Sequence, residues 1–254
     1  IRVSRMHQYS RILSKDASKL SLPLTDRLEA PKTVVYQGLP ASYQFQAARH
    51  MFPNAEAVSQ VATFEDVFRA VANGKADTGV VPVENSSIGT INEVCDLLVK
   101  YDLYISHSHI NSIHHCLAGC QNATMETVRQ AYSIDPALDQ CQQYLKDHAL
   151  ERCKAANTAV AAQQVRDWND PTRAAVCSED AAKLYGLKIL AATINDDKTN
   201  QTRFIAISRN LSSQPEDNRV SIIFTLPHQQ GTLSSALSMF SDHNISLTEI
   251  HSRP

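Results

Sequence analysis

The chain reads as an α/β protein of two lobes facing a cleft, followed by a smaller α/β module. Three observations predict this. Short apolar runs of the parallel-strand kind alternate with helical patterns of about ten residues, which implies a parallel sheet with helices on its faces. The alternation runs twice, changing over near residue 111, and one strand-like run, Phe204–Ser208, returns late. Beyond the polar linker Pro215–Arg219 a third, shorter set begins.

The composition suits that reading. With 254 residues, 43% of them hydrophobic and 20% charged, the chain buries a sizeable core and is unlike a disordered polymer. Lys and Arg number 24 against 26 Asp and Glu, a net charge of −2, so nothing marks a nucleic-acid partner. No apolar stretch approaches the roughly 20 residues of a membrane helix. The six cysteines (Cys95, Cys116, Cys120, Cys141, Cys153, Cys177) include no CxxC pair, and no secretory signal is recognisable in the sequence. Reduced thiols in a cytoplasmic protein follow, or in a plastid one if the source is a plant or alga.

Each element is justified in turn. Ile1 to about Ala30 opens helix-like and relaxes into a Ser/Pro/Leu-rich linker. Thr33–Tyr36 is a buried strand stopped by Gly38-Leu39-Pro40, and Ser42–Met51 is helical through Tyr43, Phe45, Ala47, Ala48 and Met51. Val58–Val61 predicts a strand, Phe64–Asn73 a helix and Thr78–Val83 a third strand. After the polar turn Asn85–Ser87, Ile91–Val99 is helical again. In the second round Leu103–Ile110 and Ile113–Ala118 are strands, and Met125–Ala131 is a helix leading to a strand end at Tyr132-Ser133. Gln140–Lys146 and Thr158–Trp168 are helices, Ala174–Cys177 a strand, and Ser178–Tyr185 a helix stopped by Gly186. In the tail, Val220–Leu226 alternates as a strand, Thr232–His243 is a helix and Ser246–Ile250 opens another strand. So few strands cannot bury that helix, so the module is expected to continue or to pair with a second chain.

Ligands of open α/β sheets bind beyond the carboxyl ends of the strands. That places Gly38–Ser42, Glu84–Ser87, Ser133–Asp135 and Ser178-Glu179 around one crevice, with Thr202-Arg203 at the start of the returning strand. In Val80–Gly89 a buried strand delivers an acid, an amide and two hydroxyls into a strand-to-helix turn. Such a turn either caps the next helix or binds a small anion at its N-terminus. Arg203 is either a solvated charge or a carboxylate clamp with a hydroxyl beside it. His114-His115-Cys116 with Cys120 has C-x3-C spacing, no second pair and apolar neighbours, so a packed strand is expected there and no metal. The chain has no Gly-rich phosphate loop, HExxH or G-x-S-x-G elbow.

Val80–Leu98, read as VVPVENSSIGTINEVCDLL, with Asn200-Gln201-Thr202-Arg203-Phe204 downstream, resembles prephenate dehydratase. So do Tyr36–Tyr43, His115-Cys116-Leu117, and Ser178-Glu179 with Leu184-Tyr185-Gly186-Leu187. The tail is similar to the ACT regulatory domain, a βαββαβ module here incomplete. Gly231-Thr232-Leu233-Ser234 takes the place of its glycine-rich turn and His251-Ser252-Arg253-Pro254 that of its ESRP motif. The resemblance covers about residues 33–254 and implies a layout: an N-terminal helix and linker over 1–30, a dehydratase domain over 31–212, and a partial ACT domain over 218–254. Within the dehydratase domain, lobe one takes about 31–110 plus 200–212 and lobe two about 111–199, an arrangement of the periplasmic-binding-protein kind.

That resemblance implies conversion of prephenate to phenylpyruvate, with loss of water and carbon dioxide, on the route to phenylalanine, without metal or organic cofactor. It makes Thr202 catalytic and gives Asn85, Ser133 and Gln140 to the substrate, while the chemistry of a dianionic substrate adds Arg203 and the turn at Asn85-Ser86 as the anchor of its carboxylate. Phenylalanine is the implied effector and a homodimer or homotetramer the implied assembly; no nucleic acid or membrane is involved. The chain departs from the family where Ile134-Asp135-Pro136 replaces His-Pro-Gln and where Ala41 replaces a common glycine. It departs again where Gln44 replaces a small hydroxyl and His251 a glutamate. The N-terminal helix is either the end of a fused chorismate mutase or an ordinary extension. Two rival readings are an arogenate dehydratase and a non-catalytic two-lobed receptor for an amino acid or anion. The receptor needs the arginine clamp but no donor at Thr202.

Overall fold

The computed structural model describes residues 24–25, 30–212 and 219–250, except 223 and 225. After the short strand β1 (Leu24–Thr25) the chain forms β2 (Thr33–Gln37), α1 (Tyr43–Met51), β3 (Ala57–Val61) and α2 (Phe64–Ala72). It continues with β4 (Thr78–Asn85), β5 (Gly89–Thr90), α3 (Asn92–Tyr101) and β6 (Tyr104–Ser112). A second lobe holds β7 (Cys116–Gly119), β8 (Gln130–Ser133), α4 (Asp135–Asp139), α5 (Gln142–Asp147) and β9 (Glu151–Lys154). It closes with α6 (Thr158–Trp168), β10 (Arg173–Cys177), α7 (Glu179–Leu184) and β11 (Lys188–Ala191). Then β12 (Gln201–Ser208) returns to the first lobe, and β13 (Leu211–Ser212) pairs in parallel with β1.

The first sheet runs β3–β2–β4–β12–β6, with β2 parallel to both neighbours and β12 antiparallel to β4 and β6. Its central strands are apolar on both faces, as burial between two helical layers requires. Along β12 the faces alternate. Phe204 and Ala206 pack with Val34, Val80 and Ala47 and Ala48 of α1. Ile205 and Ile207 pack with Val67 and Phe68 of α2 and Val94 of α3. Thr202 therefore shares the α1 face, and Arg203 the opposite one. The second sheet runs β11–β7–β10–β8–β9. One side chain of the first lobe, Ala41, is buried among Cys116, Ala118, Ala161, Ala175 and Cys177 of the second. Local signals place the helices: Ser42 caps α1 at Phe45 N (3.2 Å), Thr63 caps α2 at Asp66 N (3.1 Å), and Asn157 caps α6 at Val160 N (2.8 Å).

Several elements differ from expectation. Met125–Ala131 is no helix: residues 125–127 form a turn. Thr127 Oγ1 accepts from Thr124 N (2.9 Å) and lies 3.1 Å from Thr124 O and 3.0 Å from Pro171 O, the local bonding that competes with helix. The edge strand β9 carried no apolar signal because it is mostly solvent-facing, whereas β11 is a short, half-buried apolar run, Ile189-Leu190-Ala191, that the expected pattern omits. In the tail, Val220–Leu226 and Ser246–Ile250 form no strand among the described residues, although α8 (Thr232–Asp242) is present. Val220, Ile222, Phe224, Leu226 and Leu247 stay exposed, since an alternating segment becomes a strand only with a partner. The expected N-terminal helix lies outside the described residues. Residues up to Asn218 and residues from Arg219 form separate compact units. No helix among the described residues is long and apolar enough to cross a membrane.

Candidate active site at the lobe junction

Two crossings join the lobes and run side by side. Ile113 N donates to Asn200 O (2.8 Å), Ile194 N to His115 O (2.8 Å), and His115 N to Asn195 Oδ1 (2.6 Å). On this junction sits a chain of buried polar groups. Asn85, at the end of β4, stands opposite Thr202 in the ladder. Asn85 Nδ2 donates to Thr202 Oγ1 (2.8 Å), Asn200 Oδ1 (2.9 Å) and Gln201 O (3.1 Å), two hydrogens shared by three oxygens. Asn200 Nδ2 donates to Gln140 Oε1 (2.8 Å), which also lies 3.1 Å from His115 Nε2. His115 Nδ1 is 3.1 Å from the Tyr43 hydroxyl, itself 2.6 Å from His114 O. Asn85, Asn200, Thr202 and His115 are all buried. Burial pulls the His115 pKa down to about 4, so the ring is neutral near pH 7, and it pushes the Tyr43 phenol well up.

The donor count gives the site its chemistry. An amide nitrogen has no lone pair, so Thr202 Oγ must accept from Asn85. Among the described residues no group accepts the hydrogen of the Thr202 hydroxyl. Gln140 Oε1 is held by two neighbours, while its Nε2 hydrogens likewise have no protein acceptor. One lobe thus offers a hydroxyl hydrogen and the other an amide donor. Beside Tyr43, a pocket of about 210 Å³ opens between the β2–α1 loop and the start of α6, lined by Gly38, Ser42, Tyr43, Phe204, Asn157 and Thr158.

Other expected site residues are placed elsewhere. The turn after Asn85 leads into β5 and not into a helix; α3 starts at Asn92 without a side-chain cap. Its N–H groups are spent internally: Ser86 N on Gln201 O (2.9 Å), and Ser87 N (2.9 Å) and Ile88 N (3.2 Å) on Asn85 Oδ1. That removes the anion site expected there. Ser86 Oγ accepts from Gln201 N (2.9 Å) and so braces the turn. Ser133 is fully buried and donates to Val176 O (2.7 Å), out of reach of a ligand. Arg203 pairs with Glu84, Nη2 to Oε2 at 3.0 Å, on the face away from Thr202. Its expected role as a clamp beside Thr202 is corrected by the pleat. Ala41 has φ +63, a left-handed conformation that glycine adopts at lower cost, which accounts for the glycine expected there. Gln44 is buried and donates to Val80 O (2.6 Å).

Asn200, His115 and Tyr43 belong to the constellation and were not assigned to it from the sequence. Asn200 was visible only as the residue opening the Thr202 motif, and His115 read as part of a packed strand. Among the described residues no three His, Cys, Asp or Glu side chains cluster as metal ligands. Of the expected effector residues, Gly231 (φ +84) and Thr232, Leu233 and Ser234 form the start of α8. Residues His251, Ser252, Arg253 and Pro254 lie outside the described residues.

Comparison with known proteins decides the family. The family model described as prephenate dehydratase matches residues 34–212. The chain belongs to the prephenate dehydratase family. It is 36% identical over 250 residues to arogenate dehydratase/prephenate dehydratase 1, chloroplastic, of Arabidopsis thaliana, covering 98% of this chain and 64% of that one. The chain thus spans just under two thirds of that relative's length. Its fold matches the prephenate dehydratase of Staphylococcus aureus with a TM-score of 0.71 at 27% identity, covering 87% of this chain and 83% of that one. It also matches a prephenate dehydratase of Arthrobacter aurescens solved in complex with L-Phe, with a TM-score of 0.75 at 22% identity, covering 87% and 76%.

Proposed function

We propose that this chain converts prephenate to phenylpyruvate and that the reaction occurs at the lobe junction. The observation that carries the reading is the Thr202 hydroxyl, which accepts from Asn85 and keeps its own hydrogen for a ligand. In the reaction the bond from the ring to its carboxylate breaks, its electrons enter the ring, and the hydroxyl at the far carbon leaves. One proton is taken up, carbon dioxide and water depart, and the ring becomes aromatic. A threonine is too weak an acid to transfer a proton outright, so Thr202 hydrogen-bonds the departing oxygen while solvent supplies the proton. Gln140 Nε2, reaching from the other lobe, donates to a carboxylate or carbonyl oxygen. The buried, uncharged surroundings leave the ring carboxylate poorly solvated, which favours its loss. Substrate contacts by Asn85 and Ser86 act through the turn, and Arg203 and Ser133 hold the scaffold.

The two lobes are taken to be of the periplasmic-binding-protein kind, and residues 218–254 as part of an ACT module. Its binding of phenylalanine between chains of a homodimer or homotetramer would use Gly231–Ser234 with His251–Pro254. The chemistry suits an aqueous compartment, cytoplasm or plastid. The test is turnover of prephenate, followed as the ultraviolet absorbance of phenylpyruvate in base, with arogenate in parallel and phenylalanine added. Turnover that falls with phenylalanine supports both parts. Preference for arogenate moves the substrate to the aminated analogue, one of the two substrates in the double name of the Arabidopsis relative. Binding without turnover of either compound identifies a receptor.

A further inference from the structure

Peptide groups fix how one amide in the polar chain is turned, and the others follow from it. Asn85 Oδ1 accepts from Ser87 N (2.9 Å) and Ile88 N (3.2 Å), while Nδ2 faces Gln201 O (3.1 Å). Turned over, Asn85 would set oxygen against oxygen and nitrogen against two N–H groups. Asn200, 1% exposed, must therefore point Oδ1 at Asn85 and Nδ2 at Gln140. Gln140 must then receive on Oε1, and His115, 3.1 Å from that oxygen, must carry its hydrogen on Nε2. Nδ1 of His115 is left as an acceptor facing the Tyr43 hydroxyl at 3.1 Å, where it competes with His114 O at 2.6 Å for that one hydrogen.

We propose that Asn200 is a positioning residue that carries the orientation of Asn85 across the lobe junction, setting together the outward hydrogens of Gln140 and the Nε2–H tautomer of His115. Its effect on rate rests on the dehydratase reading; its effect on the tautomer does not. Burial keeps His115 neutral, so the ring has a single N–H whose place can be read.

Asn200→Asp is the sharpest probe. It keeps an oxygen facing Asn85 and puts a second oxygen where Nδ2 met Gln140. With that carboxyl ionised, Gln140 must turn over, donating Nε2 to both Asp and His115, whose hydrogen moves to Nδ1 and Tyr43. The substrate would then meet the Gln140 carbonyl in place of its amide donors. Gln140→Leu removes the acceptor of His115 Nε2–H and favours the same shift, because Nδ1–H can donate to Tyr43 while Tyr43 donates to His114 O.

The full chain is labelled with 15N-histidine and its ring nitrogen signals recorded at pH 8, those of His115 assigned through their loss in His115→Gln. The parent is expected to show His115 as Nε2–H, and both Asn200→Asp and Gln140→Leu as Nδ1–H. With Asn200→Asp, kcat/KM for prephenate is expected to fall roughly 10²-fold, the scale of a misplaced catalytic group. A parent already in the Nδ1–H form overturns the proposal, whichever variants fold. So does Nε2–H persisting in either variant, or kcat/KM within threefold in Asn200→Asp. The expected tautomers in a parent that turns over no substrate overturn the dehydratase reading and leave the orientation of the polar chain supported.

Discussion

The rungs Asn85–Thr202 and Glu84–Arg203 are neighbours on the same two strands, yet they serve opposite ends. The first is an amide and a hydroxyl, uncharged and buried on the α1 face. The second is an ion pair on the other face, its side chains 25% and 35% exposed. The pleat assigns each residue its face, and the chemistry follows the solvent it finds there. Neutral groups tolerate burial when each hydrogen bond is made, whereas a charged pair needs water or a full set of partners. Two adjacent residues of one motif, Thr202 and Arg203, therefore divide into a buried uncharged group and a partly solvated brace.

The sharpest way to break this contrast is Thr202→Ala. It leaves the ladder intact and is expected to lower kcat for prephenate by roughly 10²-fold or more, the scale of a positioned donor. A kcat within threefold of the parent would move the reaction away from this rung. Next comes Asn85→Ala, which takes the donor from Thr202 and the acceptor from Ser87 N and Ile88 N. Stability is expected to drop by about 1–3 kcal/mol in chemical denaturation, the cost of unpaired buried groups, with kcat reduced as well. Unchanged stability would show that water replaces the amide.

Ser133→Ala sharpens the comparison from inside the second lobe. Leaving Val176 O without its 2.7 Å donor is expected to cost about 1 kcal/mol, with kcat and KM unaltered. A raised KM would return Ser133 to the substrate. The smallest effect is expected at the second rung. A double-mutant cycle of Glu84→Gln and Arg203→Gln should give a coupling of about 0.2–1 kcal/mol, since both side chains are partly solvated. The coupling should weaken in high salt, and kcat should stay within twofold. A tenfold loss of kcat in Arg203→Gln would restore the guanidinium as a clamp.

These contrasts also show what was legible beforehand. Central strands announced themselves, because Val34-Val35 and Val80-Val81 are apolar on both faces. The edge strand Glu151–Lys154 did not, because pairing on one side asks little of the side chains. Thr202, Asn85 and Gln140 were found through the motifs around them. Asn200, His115 and Tyr43 come from segments far apart in the chain and meet only at the crossings. Their roles depend on which atom faces which, and sequence spacing does not encode that. The tail teaches the same lesson in reverse: Val220–Leu226 has the alternation of a strand and no neighbour to pair with among the described residues.

Ala41 has a consequence for how the cleft works. Its methyl group is seated in the core of the second lobe, its carbonyl receives the Ser178 hydroxyl at 3.1 Å, and its backbone stays in a left-handed conformation at φ +63. Such a conformation costs a non-glycine residue about 1–2 kcal/mol, so the seat must hold it firmly. Swinging the lobes apart would unseat the methyl, break the Ser178 bond and expose both partners at once. Opening of the cleft therefore carries a cost concentrated at this one residue, set by a methyl group and a single hydrogen bond.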